Sequence, residues 1–257
     1  MNFQDLSIGE IREIAIRASI EEKEKLIDIF KLDQRKGVIN IVHSLEKEIK
    51  GNSKEKDRLL KLKYYEYKYF NKGARFIAGI DEVGRGPLAG PVYASAVVFP
   101  IECMIEGIND SKKLSPGKRK ELYSLITDNA ICYATGFCDE KTIDKVNILN
   151  ATYIAMKNAI EKLKIKPQVL LIDALRIPGV DIFQVPIIKG DSLSFSIAAA
   201  SIIAKVERDE LMEKMHNEYP VYNFISNKGY GTREHMEALR SYGPCPLHRK
   251  SFISGIL

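Results

Sequence analysis

The stretch "IAGIDEVGRGPLAGPVYASAVV", residues 77–98, contains two apolar runs joined by a segment rich in glycine and proline. The β-branched residues of both runs predict two strands. Asp81 and Glu82 close the first run, and neighbouring residues on a regular strand point to opposite faces of a sheet. The two carboxylates can therefore serve one site only if the strand ends or bulges between them. Gly84 and Gly86 follow at once, so we predict that the doublet lies on a turning backbone.

The region after this stretch alternates between strand-like and helix-like segments. We predict strands at residues 75–81, 91–99, 130–137, 168–173 and 182–186, and helices at residues 147–163, 191–216 and 233–241. The first three strands follow one another and predict an antiparallel meander, with a helix in the longer link to the third. Helix and strand then alternate, which is typical of an α/β fold. The predicted class is α/β, with a mixed β-sheet flanked by helices and a C-terminal helical part.

The N-terminal region differs from the rest of the chain in composition and in the spacing of its apolar residues. Apolar residues recur at helical spacing between residues 7 and 70, which predicts about three helices. "KGNSKEKD", residues 50–57, contains Gly, Asn and Ser and predicts a turn. "DRLLKLKYYEYKYF", residues 57–70, is basic and aromatic, which suits either a nucleic-acid surface or a helix that packs its tyrosines on the next domain. We therefore predict an N-terminal helical extension at residues 1–72 and a second domain at residues 73–257.

Composition limits the classes of function. The 257-residue chain is 45% hydrophobic and 28% charged, which is typical of a globular protein with a sizeable core. Its net charge of +5 permits a polyanionic partner without requiring one. Four cysteines without C-x-x-C spacing argue against a disulfide scaffold and a zinc site. The sequence shows neither a secretory signal nor the roughly 18 uninterrupted apolar residues of a membrane helix, so we expect a cytoplasmic protein without a membrane partner.

Two further aspartates fall at predicted element ends. Asp173 closes the apolar strand "VLLID", and open α/β sheets bind ligands beyond the carboxyl ends of their strands. It could instead cap the loop that follows. Asp191 stands just before a long predicted helix, where it would make a good N-cap. That position also favours an ionised carboxylate at the positive end of the helix, so both roles can coexist.

Four acids from three segments resemble a cation site: Asp81, Glu82, Asp173 and Asp191. Clustered carboxylates repel one another unless a cation or a proton is present. Oxygen ligands without cysteine or a histidine cluster favour hard ions such as Mg²⁺ or Mn²⁺. A pair of such ions can align a water and stabilise the leaving oxygen in phosphodiester hydrolysis. The spacing therefore indicates metal-dependent phosphodiester hydrolysis as a hypothesis.

Six blocks of sequence follow one another between residues 78 and 252: "AGIDEVGRGPLAGPVYASAVV", "NDSKKLS", "LLIDAL", "KGDSLSFSIAAASIIAKVERD", "NKGYGTREHMEAL" and "GPCPLHRKSF". In content and order they resemble bacterial ribonuclease HII. The resemblance implies a ribonuclease H-like fold and an endonuclease that hydrolyses the RNA strand of RNA–DNA hybrids. It also implies incision 5′ of single ribonucleotides in duplex DNA, which leaves a 3′-hydroxyl and a 5′-phosphate and serves ribonucleotide excision repair.

The resemblance assigns roles to particular residues. It implies that two Mn²⁺ or Mg²⁺ ions are held in the active complex by Asp81, Glu82, Asp173 and Asp191. It implies substrate contacts near the RNA–DNA junction for Gly84, Arg85, Gly86 and Tyr230. Glycines on both sides of the arginine let main-chain amides approach a phosphate and sugar closely. The tyrosine ring would stack on the sugar of the deoxynucleotide that follows the ribonucleotide.

Four lysines of the matching blocks are candidate phosphate contacts, and each could instead be solvated or ion-paired: Lys112, Lys113, Lys189 and Lys205. For His235 and His248, in the C-terminal blocks, we predict structural hydrogen bonds and no catalytic part. No sustained heptad or apolar stripe speaks for assembly, so we predict a monomer. The sequence does not indicate a protein partner.

Two rival functions remain open. A DNA junction resolvase of the same fold would cut all-DNA substrates, and a non-catalytic hybrid-binding module would use the acids only as caps and ion-pair partners. The related ribonuclease HIII has a strand-containing N-terminal domain and a glutamate as its fourth acid. The helical N-terminal periodicity and Asp191 therefore favour type HII.

Overall fold

The computed structural model describes residues 3–256. Within that range the chain forms two compact units that divide between Leu60 and Lys61. The residues between this division and the predicted domain boundary at 72/73 pack in the second unit. The boundary itself stays a prediction.

The first unit is built from helices that begin at capping boxes. α1 (Ile8–Arg17) follows Ser7, and α2 (Ile20–Phe30) follows Ser19. In both, the serine hydroxyl accepts the N–H of a glutamate three residues on, and that glutamate accepts the N–H of the serine. α3 (Lys36–Leu62) follows, and the apolar faces of the three helices form one buried cluster.

The turn predicted at residues 50–57 is wrong, because α3 continues through it. Gly51 costs a helix about 1 kcal/mol relative to alanine, which the surrounding lysines and glutamates, good helix formers, can absorb. The helix ends only before Lys63, after which α4 (Tyr64–Phe70) begins. Residues 3–70 therefore contain four α-helices rather than three.

The second unit contains a five-stranded sheet and, in its described residues, seven α-helices beginning with α4. The strands are β1 (Ile77–Val83), β2 (Val92–Val98), β3 (Cys132–Cys138), β4 (Val169–Asp173) and β5 (Phe183–Ile187). The later helices are α5 (Pro116–Asn129), α6 (Glu140–Glu161), α7 (Phe195–Glu218), α8 (Phe224–Asn227), α9 (Arg233–Tyr242) and α10 (Lys250–Ile253). Among residues 3–256, no helix combines the length and the apolar character needed to cross a membrane.

The strand order is β3-β2-β1-β4-β5. The first three strands form the predicted antiparallel meander, with α5 in the link to β3, whereas β4 runs parallel to β1 and β5 parallel to β4. The predicted mixed sheet flanked by helices is confirmed. The helix predicted at residues 147–163 is the second part of α6, which bends at Asn147 (φ 66°, ψ 166°).

Helices cover both faces of the sheet. α6 packs on the face that carries Ile172, and α7 packs on the face that carries Leu171, with Ile197 in its buried cluster. A Cβ on Gly79 of β1 would collide with the backbone of Ser196. Only glycine at this position lets the first turn of α7 lie directly on the central strand.

Candidate active site

The Asp81–Glu82 doublet lies on a regular part of β1. The ladder to β2 runs without interruption through both acids to Val83. The prediction that the strand ends or bulges between them is therefore wrong, and the backbone turns only at Gly84, whose φ is +89°. Pairing with β4 stops at Ile80, but pairing with β2 continues and keeps the doublet extended. The two side chains leave opposite faces of β1. They do so near its end, where the charge of Asp173 still acts on both carboxyl groups and raises the pKa of each.

Asp173 lies beside Asp81 at the same edge of the sheet. It ends β4, and the parallel register that pairs Ile80 with Ile172 places the next two residues side by side. Side chains at paired positions share a face, so both aspartates point to the face covered by α7. Asp81 is 6% exposed. Asp173 Oδ1 accepts the N–H of Gly190 at 2.7 Å, which ties it to the loop of the fourth acid.

Asp191 is not the N-cap of the long helix, and that prediction is wrong. It lies in a 3-10 turn, and α7 begins only at Phe195 with Ser194 as its N-cap. Ser194 Oγ accepts the N–H of Ile197 at 3.3 Å. Asp191 is buried, and its Oδ1 accepts a hydrogen bond from Ser192 Oγ at 3.4 Å. Its carboxylate therefore does not cap the helix, and it lies close enough to Asp173 for their charges to interact.

The carboxylates interact electrostatically with one another. Burial raises the pKa of Asp81 well above its usual range, and the charges of Glu82 and Asp173 raise it further. Burial also raises the pKa of Glu82, against the opposing charge of Arg85. The pKa of Asp191 is raised by burial and then by neighbouring aspartates. Acids from three segments thus share one electrostatic field.

Asp110 is a fifth acid of this field, and the sequence reasoning missed it. Its charge raises the pKa of Asp191, and its Oδ1 accepts the N–H of Lys112 at 2.9 Å. Burial alone would lower the pKa of Lys112, but the combined charge of Asp191, Asp81, Asp110 and Asp173 outweighs burial and raises it. The block "NDSKKLS" holds the missed signal, an aspartate next to the two candidate lysines.

The acids supply oxygen ligands but do not form a ready-made metal cluster. Across residues 3–256, no three His, Cys, Asp or Glu side chains are grouped as a metal ion requires. Each carboxylate has a local partner, such as the Glu82 N–H that donates to Asp81 Oδ1 at 2.7 Å. Glu82 Oε2, however, is buried without a hydrogen-bond partner among the described residues. An all-oxygen set with one buried, unpaired carboxylate oxygen fits a hard divalent cation once the side chains rotate toward it.

Arg249 fixes the turn that follows β1. Its guanidinium is fully buried and donates to the carbonyl oxygens of Gly84 at 2.6 Å, Arg85 at 2.9 Å and Gly90 at 2.7 and 3.0 Å. Arg85 itself is exposed enough to reach solvent, with its Nη1 3.4 Å from Glu82 Oε1. The turn therefore has a rigid backbone and an accessible guanidinium.

The loop that carries Tyr230 lies against the same turn. A Cβ built on Gly86 would lie 3.9 Å from Tyr230 Cε1. Arg208, also fully buried, donates to the carbonyl oxygens of Pro91 at 3.0 Å and Lys228 at 2.9 Å, so it joins the two loops. Tyr230 is 43% exposed. The structure thus brings the glycine–arginine–glycine turn and this tyrosine together.

The candidate lysines occupy different settings. Lys112 and Lys113 are exposed, and Lys189 is exposed on a left-handed backbone (φ +59°) directly before the acid loop. Lys205 forms an ion pair with Asp209, with Nζ and Oδ1 2.7 Å apart and its side chain 17% exposed. A phosphate contact by Lys205 would require this pair to open, and the roles of all four lysines stay predictions.

His235 and His248 form structural hydrogen bonds, as the sequence analysis expects. His248 Nδ1 accepts the Cys245 N–H at 3.0 Å, which places its proton on Nε2. Nε2–H donates to His235 Nε2 at 2.9 Å, and His235 Nδ1–H donates to the Tyr230 carbonyl oxygen at 2.9 Å. This chain of two neutral imidazoles supports the Tyr230 loop from the protein interior.

Acid is expected to weaken the folded state through this pair. Burial lowers the pKa of His235, and burial together with His235 lowers the pKa of His248 to about 4. An unfolded histidine has a pKa near 6.5, so protonation of these two groups does not change stability above about pH 6.5. Below that pH the unfolded state binds protons that the folded state does not, and stability falls as the pH drops toward 4. Between about pH 6.5 and 4.5, urea unfolding should show wild type losing about 2 kcal/mol more than His248→Gln. His43→Gln, at an exposed histidine of the first unit, should follow wild type, and equal losses in His248→Gln and wild type would contradict the account.

Two protein-family models match the chain. The ribonuclease HII model matches residues 78–254, and the ribonuclease HII N-terminal domain model matches residues 7–70. A ribonuclease HII of Clostridioides difficile (strain 630) is 51% identical over 254 residues, covering 99% of this chain and 100% of that protein. A ribonuclease HII of Caldanaerobacter subterraneus subsp. tengcongensis is 54% identical over 213 residues, covering 83% of this chain and 86% of that protein.

Solved structures share the fold. The crystal structure of ribonuclease H2 from Pyrococcus horikoshii OT3 superposes with a TM-score of 0.59 at 28% identity, covering 70% of this chain and 96% of that one. The ribonuclease HII of the PCNA:RNase HII complex from Archaeoglobus fulgidus gives a TM-score of 0.56 at 26% identity, covering 69% and 94%.

The sheet, the relatives and the structural neighbours together define the class of protein. It is an α/β nuclease with a ribonuclease H-like fold, and therefore a hydrolase. The chain belongs to the ribonuclease HII family. As a member of this family it hydrolyses the RNA strand of RNA–DNA hybrids.

Proposed function

We propose that this enzyme also incises duplex DNA on the 5′ side of a single embedded ribonucleotide, leaving a 3′-hydroxyl and a 5′-phosphate. The 2′-hydroxyl is what distinguishes a ribonucleotide from its DNA neighbours, so recognition needs direct contacts at the junction. The observation that supports this best is the approach of Gly86 to Tyr230, where a Cβ on the glycine would lie 3.9 Å from the ring. A turn with an accessible main chain beside an exposed ring can contact both nucleotides of one junction.

We assign the chemistry to Asp81, Glu82, Asp173 and Asp191. Burial and mutual repulsion disfavour their joint ionisation without a cation, and Glu82 Oε2 is buried without a partner. We propose that these acids hold two divalent ions, Mn²⁺ or Mg²⁺, in the active complex. Such ions, when bound, neutralise charge at the scissile phosphate and activate water for attack.

The residues of the turn position the substrate. Arg249 holds the carbonyl oxygens of Gly84 and Arg85, so the turn keeps its shape when a nucleic-acid backbone approaches. When substrate binds, Arg85 leaves its ion pair with Glu82 and binds a substrate phosphate instead, because a guanidinium binds phosphate in a bidentate manner. The exchange releases Glu82 Oε1 at the moment of substrate binding.

Further contacts and the cellular setting complete the proposal. Lys112, Lys189 and Lys205 are proposed to contact phosphates on either side of the cleavage site, which would make binding dependent on salt concentration. The enzyme acts as a monomer in the cytoplasm, where it initiates the excision of misincorporated ribonucleotides.

One gel tests the proposed function. Duplex DNA that contains a single ribonucleotide is incubated with the enzyme and Mg²⁺, Mn²⁺ or EDTA, beside an all-DNA duplex and a long hybrid. We expect one cut 5′ of the ribonucleotide with either ion, none with EDTA and none in all-DNA. Cleavage of the hybrid alone would contradict the proposal, and cleavage of all-DNA would favour the junction-resolvase alternative.

Tyr230→Ala is expected to reduce incision at a single ribonucleotide about 5- to 150-fold while affecting a long hybrid less, because a ring stacked on one nucleotide contributes about 1–3 kcal/mol. A long hybrid offers many registers, so loss of one junction contact matters less. Tyr230→Phe should retain activity if stacking is the role. Tyr242→Ala, at an exposed tyrosine that ends α9, serves as the control. Equal losses on the two substrates would contradict the junction role.

A further inference from the structure

Glu66 is a buried carboxylate that the mechanism above does not use. It lies on α4, within the segment matched by the N-terminal domain model, and is 5% exposed. Its Oε1 accepts three hydrogen bonds, from Ser194 Oγ at 2.6 Å, Ser196 N at 2.9 Å and Ser196 Oγ at 2.6 Å. Both serines are buried at the start of α7. A carboxylate in this position acts on the helix next to the acid loop.

Glu66 and Ser194 cap α7 together. The Ile197 N–H donates to Ser194 Oγ, whose own hydrogen is then free to donate to Glu66. The Ser196 N–H donates to Glu66 directly. Two N–H groups that lack partners within the helix are thereby satisfied, and the negative charge lies at the positive end of the helix dipole. Glu66 takes over the capping that the sequence analysis assigns to Asp191.

The capped helix start is bonded to the acid loop. The Ser194 N–H donates to the Gly190 carbonyl oxygen at 2.8 Å, and the Gly190 N–H donates to Asp173 Oδ1 at 2.7 Å. Asp191 lies between Gly190 and Ser194 in the chain. A displacement of Ser194 would therefore be transmitted to two of the four acids.

Lys63, just before α4, also lies at the start of α7. It is 1% exposed and its Nζ donates to the carbonyl oxygens of Ile101 and Cys103, while lying 5.2 Å from the ring centroid of Phe195, the first residue of α7. Glu66 Oε2 has no hydrogen-bond partner among the described residues, and a cavity of about 20 Å³ adjoins it, which is room for one water. α4 and the lysine that precedes it thus place one buried cation and one buried anion at the start of α7.

We propose that Glu66 is a positioning residue for the catalytic centre, which fixes the start of α7 and leaves the Asp191 carboxylate free to bind a divalent ion. The inference rests on the proposed metal-binding role of Asp191. It assigns the last helix of the N-terminal segment a part in building the active site.

The test compares Glu66→Gln and Glu66→Ala in the full chain with Asp139→Ala as the matched control. Asp139 caps α6 by accepting the Thr142 N–H at 2.8 Å and is exposed, so its loss removes an acidic cap outside the site. Mn²⁺ binding without substrate is measured by electron paramagnetic resonance, together with kcat and KM on a hybrid and urea unfolding.

For Glu66→Ala we expect a Kd for Mn²⁺ raised about tenfold, kcat lowered about tenfold and KM changed less than about twofold, as for other residues that orient metal ligands. Glu66→Gln keeps an acceptor oxygen and loses the charge, so its effects should have the same direction and be smaller. Asp139→Ala should lose stability and bind Mn²⁺ as wild type does.

The proposal is overturned if Glu66→Gln and Glu66→Ala lose stability but keep wild-type Mn²⁺ affinity and kcat. If Glu66→Ala does not fold, Glu66→Gln decides alone. Asp191→Asn separates this inference from the proposed function. Weakened Mn²⁺ binding in Asp191→Asn with unchanged binding in both Glu66 variants rejects only the inference, whereas unchanged binding in Asp191→Asn rejects the metal assignment itself.

Discussion

Asp81→Asn and Asp173→Asn should each reduce cleavage of an RNA–DNA hybrid by on the order of 10³-fold or more, because each removes a negative charge from the proposed divalent-ion site. Asparagine has the same shape and keeps the acceptor oxygen that holds the Glu82 N–H or the Gly190 N–H. Hybrid affinity, measured by fluorescence anisotropy, should change less than about threefold, because removing carboxylates does not weaken attraction to a polyanion.

The same Asp81 substitution should act on stability in the opposite direction. Its pKa is raised by burial and by neighbouring charges, so the ionised form is disfavoured in the folded state at neutral pH. In EDTA, Asp81→Asn should therefore raise the free energy of unfolding, because the neutral amide carries no buried charge. Asp181→Asn is the control, because Asp181 is exposed and lies just before the start of β5, away from the strand ends that carry the acids. It should change neither cleavage nor the free energy of unfolding. Retained cleavage in Asp81→Asn or Asp173→Asn would refute the assignment of the acids.

Arg249→Met should lower the free energy of unfolding by about 3 kcal/mol, because it leaves buried carbonyl oxygens without a donor. The guanidinium serves Gly84, Arg85 and Gly90 at once, and no other side chain donates to these three in the described chain. Burial and the charge of Arg208 lower the pKa of Arg249 to about 10, which still leaves it charged at neutral pH. Methionine fills similar volume without donating.

The loss should be accompanied by reduced cleavage, since the turn that holds Arg85 loses its support. Arg249→Lys should restore little, because one ammonium cannot reproduce the planar fork. Arg233→Met is the control, since that side chain is 91% exposed in an ion pair with Glu237 and should contribute less than about 0.5 kcal/mol. A loss of similar size in Arg233→Met and Arg249→Met, by urea unfolding, would contradict the role of Arg249.

The sheet was predictable because local sequence determines its strands. Runs such as "VLLID" are continuous and apolar, and they lie in the interior of the sheet between covering helices. The same argument placed Asp173 at a strand end, where the structure sets it beside Asp81. The serine capping boxes at Ser7 and Ser19 were equally visible, and reading them would have given the correct helix starts in the first unit.

The wrong predictions concern features of the local structure that contacts between distant parts of the chain determine. Asp191 has the sequence position of an N-cap, but α7 begins later, with Ser194 as its N-cap. There Ser194 donates to Glu66, which lies 125 residues before Asp191 in the chain. The Asp81–Glu82 doublet stays extended because β2 pairs beside it, which its own glycine-rich neighbourhood does not reveal. Arg208 and Arg249 look like surface residues in the sequence, and only the carbonyl oxygens of distant loops make their burial possible.

The central claim is that acids from three segments hold a pair of divalent ions at the scissile phosphate. Crystals of the wild-type enzyme bound to its nicked product duplex, soaked with Mn²⁺, test it through anomalous scattering. The account predicts two manganese peaks beside the 5′-phosphate, within coordination distance of carboxylate oxygens from Asp81, Glu82, Asp173 and Asp191. Peaks located elsewhere, or a product phosphate held with these four side chains still turned to their local partners, would contradict it.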